Sequence, residues 1–317
     1  MIERAEELVT VFGGGGFIGR YVCESLLKRG VRVRIAQRDP RQAYMIQPLG
    51  QVGQLGFVRA DITNPHEVRA ALKSATAAIN LVGIFGKRMH GVHVDGARNI
   101  AEAAREAGAQ ALVHISAIGA NPNSAATYGK TKAAGEETVR NHFASTTVVR
   151  PSLVFGPEDA LTNRFAAMAR LPLLPVIAGQ RNFQPVYVRD LGKAIAMAAL
   201  DPQSFGGRTY EIGGPQVMSM IELHRAILAI TGQKTDIVPV PDLVGSALSK
   251  LGWLPGAPLT RDQWLMLQRD NVPSGDFPGL ESFGIRPTPL AAVAPEWLDR
   301  FQGNRFAGRR IHLTATS

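Results

Sequence analysis

Residues 10–21 read TVFGGGGFIGRY. A short apolar run enters Gly13, Gly16 and Gly19, and the chain then passes directly into a stretch with helical spacing. Glycine permits positive φ and places no side chain between backbone and ligand. A helix starting here points its free N–H groups, and the positive end of its dipole, at whatever lies above the loop. A pyrophosphate suits that field. Glycines alone are weak evidence, and a tight turn with no ligand is the alternative. A glycine loop between a strand and a helix, inside a βαβ unit, is the context that gives the pattern meaning.

The rest of the first half supplies that context. Short apolar runs predict strands at 8–12, 31–36, 56–59, 77–82, 111–116 and 146–149. Amphipathic stretches predict helices at 18–29, 66–74, 92–107 and 128–142. Strand–helix alternation of this kind predicts the α/β class, with a Rossmann-type, doubly wound parallel sheet. After Arg150 the pattern changes to Pro-rich pieces such as RPSLVFGPED and RLPLLPVIAG. A helix at 191–200, a strand at 209–212 and a helix at 218–231 follow, and 236–258 resists assignment. We therefore expect an NAD(P)-binding domain over residues 1–150, its sheet completed by parts of 151–215. A smaller C-terminal α/β region over 151–317 would serve substrate or partner.

The end of the second strand bears on the cofactor. Sites selective for NAD place an acid about 20 residues past the glycines, to bind the ribose 2′-hydroxyl. Gln37 and Arg38 stand there, with Arg41 close by. A guanidinium pairs bidentately with a 2′-phosphate, so NADPH or NADP is expected over NAD. Arg20 can add a second cation. Asp61 and Ile62, after the third strand, are placed to meet adenine. Asn80, Leu81, Val82 and Gly83 end the fourth strand at the carboxyl edge, where such sheets hold their ligand.

Tyr128 and Lys132 stand at i and i+4, on one helix face. An ammonium beside a phenol favours phenolate, and a phenol so tuned can move a proton during hydride transfer. Lys132 can also bond the nicotinamide ribose. Tyr-x-x-x-Lys is common by chance, and a surface helix pair is the alternative.

These stretches, with HVDGARNIAEAAREAGAQALVHIS, YGKTKAAGE, RPSLVFGPED and FQPVYVRDLGKAIAMA, resemble the extended and atypical short-chain dehydrogenase/reductases over about residues 8–215. FGGGGFIGRY, the basic end of the second strand, LVGI, and ISAIGANPNS leading quickly to YGKTKAAGE are similar to one branch. That branch is the complex I (NADH:ubiquinone oxidoreductase) alpha-subcomplex subunit nine family and its bacterial relatives. The resemblance implies tightly held NADPH used structurally. Gly13, Gly16, Phe17, Ile18, Gly19 and Arg20 would bind the pyrophosphate, Arg38 the 2′-phosphate, and Tyr128 and Lys132 the nicotinamide ribose. It also implies complex I subunits as partners. Active members carry a Ser or Thr that polarises the substrate carbonyl. That place aligns with Ile118 or Gly119, which offer no side-chain donor, and leaves Ser116 or Ser124 for the role. A lost oxyanion donor costs on the order of a hundredfold in rate. The competing reading is an NADP-dependent oxidoreductase or epimerase acting on a sugar nucleotide or small carbonyl compound.

Composition narrows the setting. Cys23 is the only cysteine, so no intrachain disulfide can form and a Cys-based metal site is disfavoured. Glu3, Glu6 and Glu7 precede the first apolar run, where a signal or transit peptide carries basic residues. The expected location is cytoplasmic, or peripheral on the cytoplasmic face of the inner membrane. A net charge of +9 favours anionic partners such as acidic lipid. No zinc-finger, homeodomain-like or RNA motif accompanies it, so nucleic acid is not expected. His90 and His93 have the spacing of two metal ligands but lack a third, so no metal is expected. Glu136 and Glu137 read as solvated helix charges, and Asp190 as a helix N-cap. Residues 243–253 read as an apolar-faced helix for membrane, partner or core. The basic stretch 300–317 reads as a docking tail or a solvated one.

Overall fold

A computed structural model describes residues 7–250 and 259–302. The first half follows the predicted alternation: β1 (Leu8–Phe12), α1 (Phe17–Leu27), β2 (Arg32–Gln37), β3 (Leu55–Arg59), α2 (Pro65–Leu72), β4 (Ala77–Asn80), α3 (Gly96–Glu106), β5 (Ala111–Ile115), α4 (Thr127–His142) and β6 (Thr147–Pro151). The second half is more broken: β7 (Val154–Phe155), α5 (Ala160–Met168), β8 (Leu173–Val176), β9 (Asn182–Phe183), β10 (Val186–Tyr187), α6 (Val188–Leu200), α7 (Pro202–Phe205), β11 (Thr209–Ile212), β12 (Met218–Ser219), α8 (Met220–Thr231), β13 (Asp236–Pro239), α9 (Asp242–Lys250), α10 (Arg261–Leu267), α11 (Leu290–Val293) and α12 (Pro295–Leu298).

Seven strands form one parallel sheet in the order β11-β6-β5-β4-β1-β2-β3. All five residues of β1 are buried, as a strand covered on both faces must be. One face sends Val9, Val11, Val33, Ile35 and Val113 against Val22 and Leu26 of α1 and Leu191 and Ile195 of α6. The other sends Phe12, Ala36, Ala78 and Leu112 against Val68 and Leu72 of α2, Ile100 of α3 and Val139 of α4. The strand order reverses between β1 and β4, and the crevice at such a switch point is where these sheets take ligands.

Beyond β6 the short ladders β7–β10, β9–β12 and β8–β13 gather around a third cluster that includes Phe155, Leu174, Val176, Tyr187, Ile227 and Trp297. Two-residue strands carry too little periodicity to be read in advance. The loop after β2 holds a ten-residue 3-10 helix, Pro40–Leu49, also unforeseen, with Asp39 accepting from the Arg41 N–H at its start. The predicted helix at 92–107 is instead a π turn, Gly91–Asp95, running into α3. Asp190 is not an N-cap. It lies in the first turn of α6, buried, and accepts from the Thr288 N–H at 2.8 Å. Within the stretch 243–253, Leu243 and Val244 are exposed while Gly245 packs beneath Trp264; residues 251–253 lie outside the described residues. Of the basic tail only 300–302 is described, and Arg300 donates to Asn163 Oδ1.

Candidate functional site

The glycine loop closes as close packing demands. Gly13 sits at φ +80° and donates to Ala36 O of β2 at 3.0 Å, and Gly16 donates to Gly13 O at 3.0 Å. A methyl group at Gly19 would lie 2.6 Å from Gly14 O and closer still to Gly13 O, so only glycine lets α1 start against the loop. Gly16 caps α1 without a side-chain bond, and no acid stands in the first turn. The first-turn amides, including those of Phe17, Ile18 and Gly19, have no intrahelical partner. These residues fit a pyrophosphate. The side chains of Phe17 and Ile18 turn away into the third cluster. The Arg20 guanidinium pairs with Glu158 at 3.1 Å, while its buried Nε has no partner.

A cleft of about 680 Å³ opens beside this loop at the carboxyl edge of β1, β2 and β3. Gly13, Arg38, Asp61, Ile62 and Val82 line it, as do Asp39, Ile84 and Arg88, which sequence reading did not assign. Arg38 is exposed and forms no ion pair among the described residues. Arg41 is engaged by Asp39, Nε to Oδ1 at 3.0 Å. Asp61 accepts from the Thr63 N–H and hydroxyl at 3.0 and 2.8 Å. Burial pulls its pKa upward, but these bonds and the nearby Arg38 and Arg88 hold it below the ordinary carboxylate range. Ile62 is buried against Gly96 of α3.

Past β4, Leu81 donates to Phe12 O at 3.0 Å, and Val82 donates to Asn80 Oδ1 at 3.1 Å. Gly83 faces Lys132: a Cβ there would stand 3.4 Å from Nζ. His93 receives the Ile84 N–H on Nε2 at 3.1 Å, so its ring proton belongs on Nδ1. That nitrogen meets Thr131 Oγ1 at 2.9 Å, and Thr131 donates onward to Tyr128 O at 3.1 Å. Burial, helped by the Lys132 charge, pushes His93 down to about 4. His93 therefore ties the β4 loop to the tyrosine helix as a neutral ring. Its spacing to His90 carried no trace of this, because both its partners are remote in sequence.

Tyr128 and Lys132 do come together with Gly83 and His93, but not with the predicted tuning. Lys132 donates to Ile115 O at 2.8 Å, and its ammonium lies 5.9 Å from the Tyr128 ring centroid. Burial lowers the Lys132 pKa to about 8, against a raising pull from Glu136. Burial raises the Tyr128 phenol to about 12, the reverse of the lowering expected from a neighbouring ammonium. Phe85 stacks on the phenol ring, centroids 4.5 Å apart and planes 17° off parallel. From the C-terminal segment, Asp262 caps α4 by accepting the Thr127 and Tyr128 N–H groups at 2.6 and 3.1 Å.

Of the hydroxyl candidates, Ser124 Oγ accepts from the Ala126 N–H at 3.2 Å. Ser116 Oγ is buried and has no partner. Ile118 is buried, and Gly119 holds φ +87°, which disfavours any residue with a side chain. Glu136 is not a solvated charge. It is buried and takes the Arg150 guanidinium on both oxygens, at 2.9 and 2.7 Å.

Comparison with known proteins agrees with this architecture. The model of the NAD dependent epimerase/dehydratase family matches residues 9–213. The mouse mitochondrial NADH dehydrogenase [ubiquinone] 1 alpha subcomplex subunit 9 is 34% identical over 316 residues, covering 97% of this chain and 84% of that protein. Ceramide reductase of Caulobacter vibrioides is 29% identical over 256 residues, covering 76% of each. The Escherichia coli NADPH-dependent quinone oxidoreductase, solved with NADPH, superposes with a TM-score of 0.74 at 19% identity, covering 92% of this chain and 99% of that one. The Thermus thermophilus UDP-glucose 4-epimerase, solved with NAD, gives 0.68 at 20%, covering 94% and 99%. The structural likenesses, at such low identity, concern the fold. Sheet order, glycine loop and family match together make this chain a member of the NAD dependent epimerase/dehydratase family, of short-chain dehydrogenase/reductase type, and a relative of complex I alpha subcomplex subunit 9.

Proposed function

We propose that this chain holds NADPH as a resident ligand and serves respiratory complex I as an accessory or assembly factor. The free first-turn amides at Phe17, Ile18 and Gly19, set against the glycine loop of Gly13 and Gly16, would hold the pyrophosphate, Arg38 the 2′-phosphate, and Asp61 and Ile62 the adenosine. Leu81, Val82, Gly83, Tyr128 and Lys132 would meet the nicotinamide ribose. Arg20, already paired with Glu158, adds little net charge there. The carrying observation is the setting of Tyr128: its ring is stacked on Phe85, and the neighbouring Lys132 donates to Ile115 O. A general acid or base works best when its pKa lies near the operating pH, and burial moves this phenol the other way. The nicotinamide, when bound, supplies hydride chemistry, and the chain's own groups are poorly set to move the matching proton. In this reading residues 1–150, with strands from 151–215, carry the nucleotide, and the smaller region within 151–317 meets complex I subunits. The net charge of +9 supports peripheral contact with acidic lipid on the cytoplasmic face of the membrane and leaves nucleic acid without a motif. No described helix is long and apolar enough to cross a membrane.

One observation favours a second reading. Ser116 Oγ is a buried hydroxyl without a partner at the end of β5, where a substrate carbonyl could receive it. An NADP-dependent oxidoreductase or epimerase would then use Tyr128 as its acid–base group and Lys132 as its partner, on a sugar nucleotide or small carbonyl compound. The deciding experiment releases and identifies the nucleotide carried through purification, then offers the loaded protein sugar nucleotides and small carbonyls. Retained NADPH without turnover, together with co-purifying complex I subunits, supports the first reading. Sustained turnover transfers the case to the second.

A further inference from the structure

Arg88 lies on the loop after β4, just before the π turn, and lines the cleft beside Gly91 and Val92. Arg38 reaches the same cleft from the end of β2. Both guanidinium groups act on the Asp61 carboxylate at the end of β3. Among the described residues, four charged ones line the cleft: Arg38, Arg88, Asp39 and Asp61. Asp39 is neutralised by Arg41. Asp61 is hydrogen-bonded by Thr63, a neutral group, so it keeps its charge. Neither Arg38 nor Arg88 forms an ion pair among the described residues.

The charges then set a requirement. A phosphate ester carries close to two negative charges. Approaching Arg38 alone, it would meet Asp61, which offsets one guanidinium. Attraction needs a second cation, and Arg88 is the only other one lining the cleft among the described residues. We propose that Arg88 is a second specificity-determining residue for the adenine-ribose 2′-phosphate, acting with Arg38 and offsetting Asp61. This rests on the NADPH reading above.

The test is titration of the full chain with NADPH, NADH and 2′,5′-ADP, for wild type, Arg38→Ala, Arg88→Ala and Arg88→Lys. Arg88 is exposed, so the variants should fold; matching circular dichroism and thermal unfolding without nucleotide check this. We expect Arg88→Ala to weaken NADPH and 2′,5′-ADP roughly tenfold, with NADH changed by less than about twofold. Arg88→Lys retains part of the binding, because a point charge replaces a fork. The salt dependence of NADPH binding becomes shallower in Arg88→Ala. Equal loss for NADH and NADPH would instead mean that Arg88 stacks on adenine or holds the pyrophosphate, and overturns the assignment. So does no loss at all. If wild type prefers NADPH and Arg38→Ala alone is selective, only Arg88 is misassigned. If wild type prefers NADH or binds neither nucleotide, the NADPH reading itself falls.

Discussion

His93 shows how one residue can be read by type and still missed by role. Its spacing to His90 suggests ligands, and its neighbours in space make it a clamp between the β4 loop and α4. The unfolded ring titrates near 6.5, whereas the native ring stays neutral down to about 4. Below 6.5 the unfolded chain binds a proton that the native state refuses, so stability is present above that pH and falls as pH drops towards 4. Between pH 7.5 and 5 this one group should account for about 2 kcal/mol of lost stability. Urea unfolding at both pH values measures it. His114 and His224 shift in the same direction, so the wild-type loss should exceed this share. His93→Gln should flatten the dependence, and an unchanged slope in that variant would sink the assignment. Glu136 teaches the same lesson: its exposure could not be judged before its partner Arg150, on a neighbouring strand, was placed.

Among elements, the glycine loop was legible because all its constraints are local: a strand, a turn with positive φ, and a helix beginning against backbone. Gly19→Ala places a methyl where backbone carbonyls already stand. It should cost roughly 1–3 kcal/mol in urea unfolding and abolish nucleotide retention. A variant that keeps both would refute the close-packing account. The start of α4 was legible to within a residue, but its cap was not, since Asp262 lies far along the chain. Asp262→Ala should cost about 1 kcal/mol and speed hydrogen exchange at Thr127 and Tyr128, leaving Val9 and Val11 protected. Exchange unchanged at the helix start would count against the cap. The π turn before α3 and the 3-10 helix after β2 escaped prediction because neither has a side-chain period of its own. Phe85, a loop aromatic, showed nothing of its stacking on Tyr128 until the loop was placed.

For the whole molecule, the doubly wound parallel sheet came through from strand–helix alternation, while the small ladders after β6 did not. A ligand that binds only the native state raises stability by mass action, about 2.7 kcal/mol at a hundred times its Kd. NADPH should therefore raise the melting temperature of nucleotide-free protein more than NADH at equal concentration, as scanning calorimetry would record. An equal or larger shift with NADH contradicts the assignment of Arg38. The C-terminal segment returns to the sheet's carboxyl edge again and again: Asn271 accepts from Ser152, Ser274 donates to Glu211, and Asp262 seats the start of α4. During synthesis from the N-terminus, the residues that line the cleft, 13–92, thus emerge well before Asp262, which caps the tyrosine helix. A nucleotide available at that moment could dock on a half-built molecule and shape the order in which the remainder closes over it.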